Sequence, residues 1–151
     1  MKKPKNTEYF HYVNVNPYKR KTTDCVIRAI TIALYSHCIN NDMDWERLMR
    51  DGWIVVLESM TEHTIKTGYM YDDKDGFASF LETYHGFKKQ KQPRHEDGTK
   101  YTVREFIDEH PKGTYLLNMP SHLTVVVDGK AYDTWNVTKS QRRVGNYWTR
   151  D

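Results

Sequence analysis

Residues Lys19–Ser36, KRKTTDCVIRAITIALYS, set the architecture that the sequence predicts. Apolar residues recur there at offsets of three and four, as one buried helix face requires; they are Val26, Ala29, Ile30, Ala33 and Leu34. Ile27 and Ile32 carry the apolar character nearly all the way round the helix. The stretch therefore predicts a central helix that begins near Thr23 or Asp24 and packs on more than one side.

A cysteine, Cys25, occupies the first turn of this predicted helix. Two interpretations are open for it. Free cysteine is often buried as a small apolar side chain, but a helix N-terminus also lowers a thiol's pKa and the thiolate is a nucleophile. The second cysteine, Cys38, is expected on the same helix, roughly 20 Å away, which is too far for a disulfide. Two unpaired thiols fit a reducing, cytoplasmic setting.

The composition narrows the class of protein. The 151 residues are 38% hydrophobic but 13% aromatic, with eleven tyrosines and four tryptophans available for a core. A net charge of +3 is too small to indicate nucleic-acid binding by itself. The sequence has no apolar run of transmembrane length, no signal-peptide pattern and no zinc-like spacing of Cys and His. We therefore expect a folded domain with no membrane segment, metal or cofactor.

The order of predicted elements indicates an α+β fold in one domain, residues 1–151, with residues 1–21 as an extended basic lead-in. Helices are expected from Asp44 to Gly52, from Asp75 to Gly86 and after a Thr102 cap. The segment WIVVLESM fits a strand or a helix, and FKKQKQP fits a short exposed strand. Three further strands are TYLLNM, HLTVVV and KAYDTW, and VGNYWT near the end fits another.

The dipeptide Asp128-Gly129 predicts a two-residue hairpin turn, which fixes which side chains share a face of the sheet. With that turn, four chemically distinctive residues lie on one face: His122, Thr124, Asp133 and Trp135. Asn136 falls on the other face, so Asp133 is the better partner for the imidazole. A helix-start Cys, a strand-start His and a same-face Asp are the parts of a Cys-His-Asp triad.

The sequence resembles the papain-like cysteine peptidase superfamily, and more specifically a family of small uncharacterised phage and prophage proteins. The matching features are Asn16-Pro17, Asp24-Cys25, Arg28-Ala29-Ile30, Tyr101–Val103, His110–Tyr115, His122, Asp128-Gly129 and Tyr132–Trp135. The resemblance implies a papain-like fold, with the N-terminal helix packed on an antiparallel sheet. It implies Cys25 as nucleophile, His122 as base and Asp133 as orienter. Two departures are Thr23 in place of glycine before Asp-Cys and Asn136 in place of the final aspartate.

The function expected from these features is a thiol hydrolase acting on a peptide, isopeptide or other amide bond, or a transferase or deamidase using the same acyl-thioester. Its partner is then a protein or peptide, a host protein included, and nucleic acid ranks last. The alternative is a phage-encoded binding or inhibitor protein with a non-catalytic triad. For the oxyanion, the papain-like glutamine position holds Lys19, so the candidate donors are the Cys25 backbone N–H and the side chain of Asn16 or Asn14.

Overall fold

The computed structural model describes residues 3–20 and 23–150, and these form an α+β fold. The helices are α1 (Cys25–Leu34), α2 (Trp45–Thr67), α3 (Lys74–His85) and α4 (Val103–Glu109). The strands are β1 (Phe10–Tyr12), β2 (Lys88–Gln90), β3 (Thr114–Met119), β4 (His122–Val127), β5 (Lys130–Asp133) and β6 (Tyr147–Thr149). Within these ranges no helix is long and apolar enough to cross a membrane.

The strands form a single sheet in the order β1-β5-β4-β3-β6-β2. The prediction of an antiparallel sheet is wrong for one pair of strands, because β1 runs parallel to β5, with Phe10 opposite Ala131. Phe10 and Ala131 are both fully buried, so part of the polar lead-in belongs to the core. A parallel pair needs a long crossover, and here nearly the whole chain separates the two strands. The four other pairings are antiparallel.

Helix α1 lies across the centre of this sheet, where it packs mainly on β4. Its eight residues from Val26 to Ala33 are buried, so the prediction of a central helix is confirmed. The placement of Cys38 on this helix is wrong. The helix ends at Leu34, and Cys38 lies in the 3₁₀ turn Ser36–Cys38 that follows.

Helix α2 is longer than predicted, because it continues through Gly52 rather than ending there. Gly52 is a packing residue: a Cβ at this position would lie 2.6 Å from the Tyr35 ring. The ambiguous segment WIVVLESM is therefore helical, with Val56 and Met60 on the buried face.

The other predicted elements are confirmed with small shifts of their ends. Helix α3 ends at Gly86, which has the left-handed φ of 70° that favours glycine. Helix α4 begins with a reciprocal capping box between Thr102 and Glu105. The short strand β2 pairs with β6 at the edge of the sheet.

Candidate active site

The start of α1 and the turn between β3 and β4 position the cysteine and the histidine. Helix α1 begins at Cys25 above the start of β4, whose first residue is His122. A two-residue turn joins β3 to β4, pairing Met119 with His122, and its second residue, Ser121, has φ 58°. The imidazole therefore stands at the rim of the sheet, where the α1 N-terminus meets it.

The β4–β5 hairpin positions the aspartate as the sequence predicts. Asp128 and Gly129 have φ values of 47° and 79°, the two positive angles that a type I′ turn requires. The register pairs Val127 with Lys130 and Val125 with Tyr132. Continuing that register places Asp133 beside Thr124, on the same face as His122.

Asp133 is held by three donors, so its carboxylate acts purely as an acceptor. Its Oδ2 accepts hydrogen bonds from His122 Nε2 at 2.7 Å and from Thr124 Oγ1 at 2.6 Å. Its Oδ1 accepts the Thr134 N–H at 2.7 Å. The bond to Nε2 leaves Nδ1 as the ring nitrogen available to the thiol. Asn136 instead accepts hydrogen bonds from Thr138.

The Cys25 thiol lies in an environment that stabilises its anion. Burial raises the pKa of this thiol, but the hydrogen bond with His122, the Leu123 backbone N–H and the charges of His122 and Arg28 outweigh burial. The net effect is a pKa below the ordinary cysteine value. A thiolate is the reactive form of cysteine.

The pKa of the His122 imidazole is shifted in the opposite direction, upward. Burial lowers the pKa of His122, but hydrogen bonds and negative charge from Asp133 and Cys25 raise it to about 9. The His122 side chain is only 8% exposed, and the Trp135 ring lies beside it with centroids 5.1 Å apart. At neutral pH the imidazole is therefore protonated, its charge favours the thiolate form of Cys25, and an aromatic ring shields it on one side.

A buried ion-pair network that the sequence analysis missed supports these residues. The Arg28 guanidinium contacts Asp24 in the preceding turn, and its Nη2 lies 4.0 Å from Asp133 Oδ1. Asp24 also accepts the Trp53 indole N–H at 3.2 Å. Arg28 is the only charged residue in CVIRAITIAL. This arginine is the sequence feature that could have revealed the network, because a charged side chain in a buried helix needs partners of opposite charge.

We predict that Arg28→Ala destabilises the fold by about 3–5 kcal/mol, because it leaves the buried Asp24 carboxylate without its cation. Urea unfolding followed by tryptophan fluorescence measures the loss. The matched control is Arg47→Ala, which breaks an exposed ion pair with Asp44 and is expected to cost under about 1 kcal/mol. Equal losses for the two variants would contradict the account of the network.

The Asn16 side chain forms its hydrogen bonds within the network around Asp24, and not with the Cys25 thiol. Its side-chain Nδ2–H donates to Asp24 Oδ2 at 3.1 Å, and its side-chain Oδ1 accepts the Tyr18 N–H at 2.8 Å. Asn16 lines a neighbouring groove with Trp53, not the cleft that contains Cys25. Its position therefore does not favour the expected role as an oxyanion donor, and the Cys25 backbone N–H is the better candidate.

Cys25 and His122 open into a cleft of ≈ 560 Å³. The cleft extends from the α1 N-terminus across the end of β3 to the start of α3 and the segments before α4 and β6. Among the described lining residues, three are basic: Lys74, Lys100 and Arg143. The reactive pair thus lines a space large enough for a peptide segment or another small substrate.

In residues 3–20 and 23–150, no cluster of three or more His, Cys, Asp or Glu side chains is arranged to hold a metal ion. Both cysteines are free. No protein-family model matches the sequence, and comparisons with curated proteins and with solved structures find no match either.

Proposed function

We propose that this protein is a thiol hydrolase of the papain-like class that cleaves a peptide, isopeptide or other amide bond through an acyl-thioester. The observation that carries the proposal is the chain of contacts from Asp133 through His122 to Cys25, with pKa shifts of opposite sign on the imidazole and the thiol. A histidine with a purely structural role would not need a hydrogen bond to a half-buried cysteine in an open cleft, nor pKa shifts linked to that cysteine.

In the proposed reaction, the Cys25 thiolate attacks the acyl carbon and a C–S bond forms. The tetrahedral intermediate then loses its amine, which takes a proton from the His122 imidazolium as the C–N bond breaks. Water then attacks the thioester and gives a proton to His122, and the C–S bond breaks, which releases the carboxylic acid and restores the Cys25 thiolate. Asp133 accepts the Nε2–H throughout, so that the other ring nitrogen stays directed at the thiol.

The start of α1 supplies an electrostatic site for the oxyanion. Asp24 is the N-cap residue, but its side chain makes no hydrogen bond to the first-turn N–H groups, because it contacts Arg28, Asn16 and Trp53 instead. The backbone N–H of Cys25 and the positive end of the helix dipole therefore remain available to stabilise negative charge near the sulfur.

The coupled pKa shifts predict a characteristic pH dependence. Hydrolysis of an amide substrate should rise as pH increases through the lowered pKa of Cys25, because the thiolate forms there. It should fall as pH passes about 9, because His122 then loses the proton that the leaving amine needs. Iodoacetamide labelling should follow only the first limb, with its midpoint below the pH at which an ordinary cysteine titrates.

Peptide mapping of the labelled protein provides the internal control, since Cys38 is alkylated in the same sample. We expect Cys25 to be labelled faster than Cys38 at neutral pH. Equal rates, or faster labelling of Cys38, would contradict the proposal and favour the binding-protein alternative.

A further inference from the structure

The cleft that contains Cys25 carries an excess of positive charge among its described lining residues. In the part of the chain that the structure describes, three cationic side chains line it: Lys74 at the start of α3, Lys100 before α4, and Arg143 before β6. Asp72 is the only carboxylate among its described lining residues. The whole chain has 23 basic and 20 acidic residues, so the three-to-one ratio in the cleft is not a reflection of composition.

The cleft cations are held by weak or neutral contacts, which leaves their charge available. Lys74 Nζ donates to the Asn146 side-chain oxygen at 2.7 Å. Arg143 lies 3.5 Å from Glu105 and 3.5 Å from the Lys100 carbonyl oxygen, and both members of the Arg143–Glu105 pair are nearly half exposed. Exposed ion pairs of this kind exchange readily for other anions.

These charges act on whatever reaches the thiol, because they line the same concave space. A cleft with one sign of charge concentrates ligands of the opposite sign. A nucleic acid satisfies the charge but offers the thiolate no acyl carbon. An acidic peptide satisfies both the charge and the chemistry of Cys25 and His122.

We propose that the substrate is an acidic peptide segment whose Asp or Glu side chains lie against Lys74, Lys100 and Arg143 while its scissile carbonyl reaches Cys25. This inference rests on the proposed function, since it names the substrate class of the same site. Hydrolysis consumes one water and yields the peptide acid and the free amine, with no other reactant.

The test uses internally quenched depsipeptides, in which an ester bond between glycine and glycolic acid is flanked on each side by two Glu, two Gln or two Lys residues. We expect kcat/KM for the Glu probe to be at least tenfold higher than for the Gln probe, and the Lys probe to be the slowest. High salt should reduce the Glu-to-Gln ratio, since exposed charges are screened.

Variants with opposite expected effects make the test specific. Lys100→Gln should lower the Glu-to-Gln rate ratio by roughly two- to fivefold, and Asp72→Asn should raise it. Lys112→Gln is the matched control, because this lysine precedes the opposite end of β3, and it should leave the ratio unchanged.

The outcomes separate this inference from the proposed function. A Cys25 that reacts rapidly with iodoacetamide but shows no Glu preference would overturn the acidic-substrate inference alone. Loss of Gln-probe cleavage on adding a single-stranded oligonucleotide, without a Glu preference, would assign the cations to nucleic acid and overturn it as well. An unreactive Cys25 would overturn both proposals.

Discussion

Replacing Cys25 by alanine is expected to lower turnover of an activated ester by about 10³-fold or more, to the background rate. No covalent intermediate can form without the sulfur, whereas the fold should survive, because the side chain is only half-buried and alanine suits a helix. Steady-state release of p-nitrophenol measures the loss, and thermal unfolding checks that the variant is folded.

The matched control for this variant is Cys38→Ala, in the 3₁₀ turn after α1. It removes the other thiol and is expected to keep the turnover of the unmodified protein. If Cys25→Ala retained full biological activity, the enzyme proposal would fail, and a binding protein with a non-catalytic triad would take its place.

Replacing His122 by alanine is expected to reduce turnover by roughly 10²–10⁴-fold, the range that general acid–base groups contribute. The same change should slow iodoacetamide labelling of Cys25 at neutral pH, because the hydrogen bond and charge of His122 stabilise the thiolate. Labelling of Cys38 in the same sample should not change.

The orienting residue should show a graded response. Asp133→Ala is expected to cost less than His122→Ala, because the carboxylate only orients the imidazole and stabilises its charge. Asp133→Asn should recover part of the activity, since an amide oxygen can still accept the Nε2–H. Asn136→Ala should be mild, because that side chain binds Thr138. A crippling Asn136→Ala with a silent Asp133→Ala would contradict the assignment.

The contact between His122 and Asp133 could be predicted because it depends on local rules. An Asp-Gly pair between two strand patterns selects a two-residue turn, and the turn fixes the register and hence the shared face. The long apolar pattern of α1 was equally informative about its burial. In both cases the signal lies within one or two adjacent elements.

The features that the sequence analysis missed depend on contacts between distant segments. Strand β1 has three residues and no periodic pattern, so only the pairing with β5 defines it. Gly52 was predicted to end a helix. Its actual role is to leave room for the Tyr35 ring, which a Cβ at this position would overlap. Arg28 is positioned by Asp24, the N-cap residue of its own helix, which the i,i+4 spacing could have suggested. It is also positioned by Asp133, near the other end of the chain.

The most direct test of the central claim is capture of the acyl-enzyme. The protein is mixed with p-nitrophenyl acetate, quenched in acid within the first turnover and mapped by peptide mass spectrometry. The account predicts one acetyl group on Cys25, labile to hydroxylamine, formed more slowly in His122→Ala. Acetylation of Cys38 or of surface lysines with none on Cys25 would contradict it.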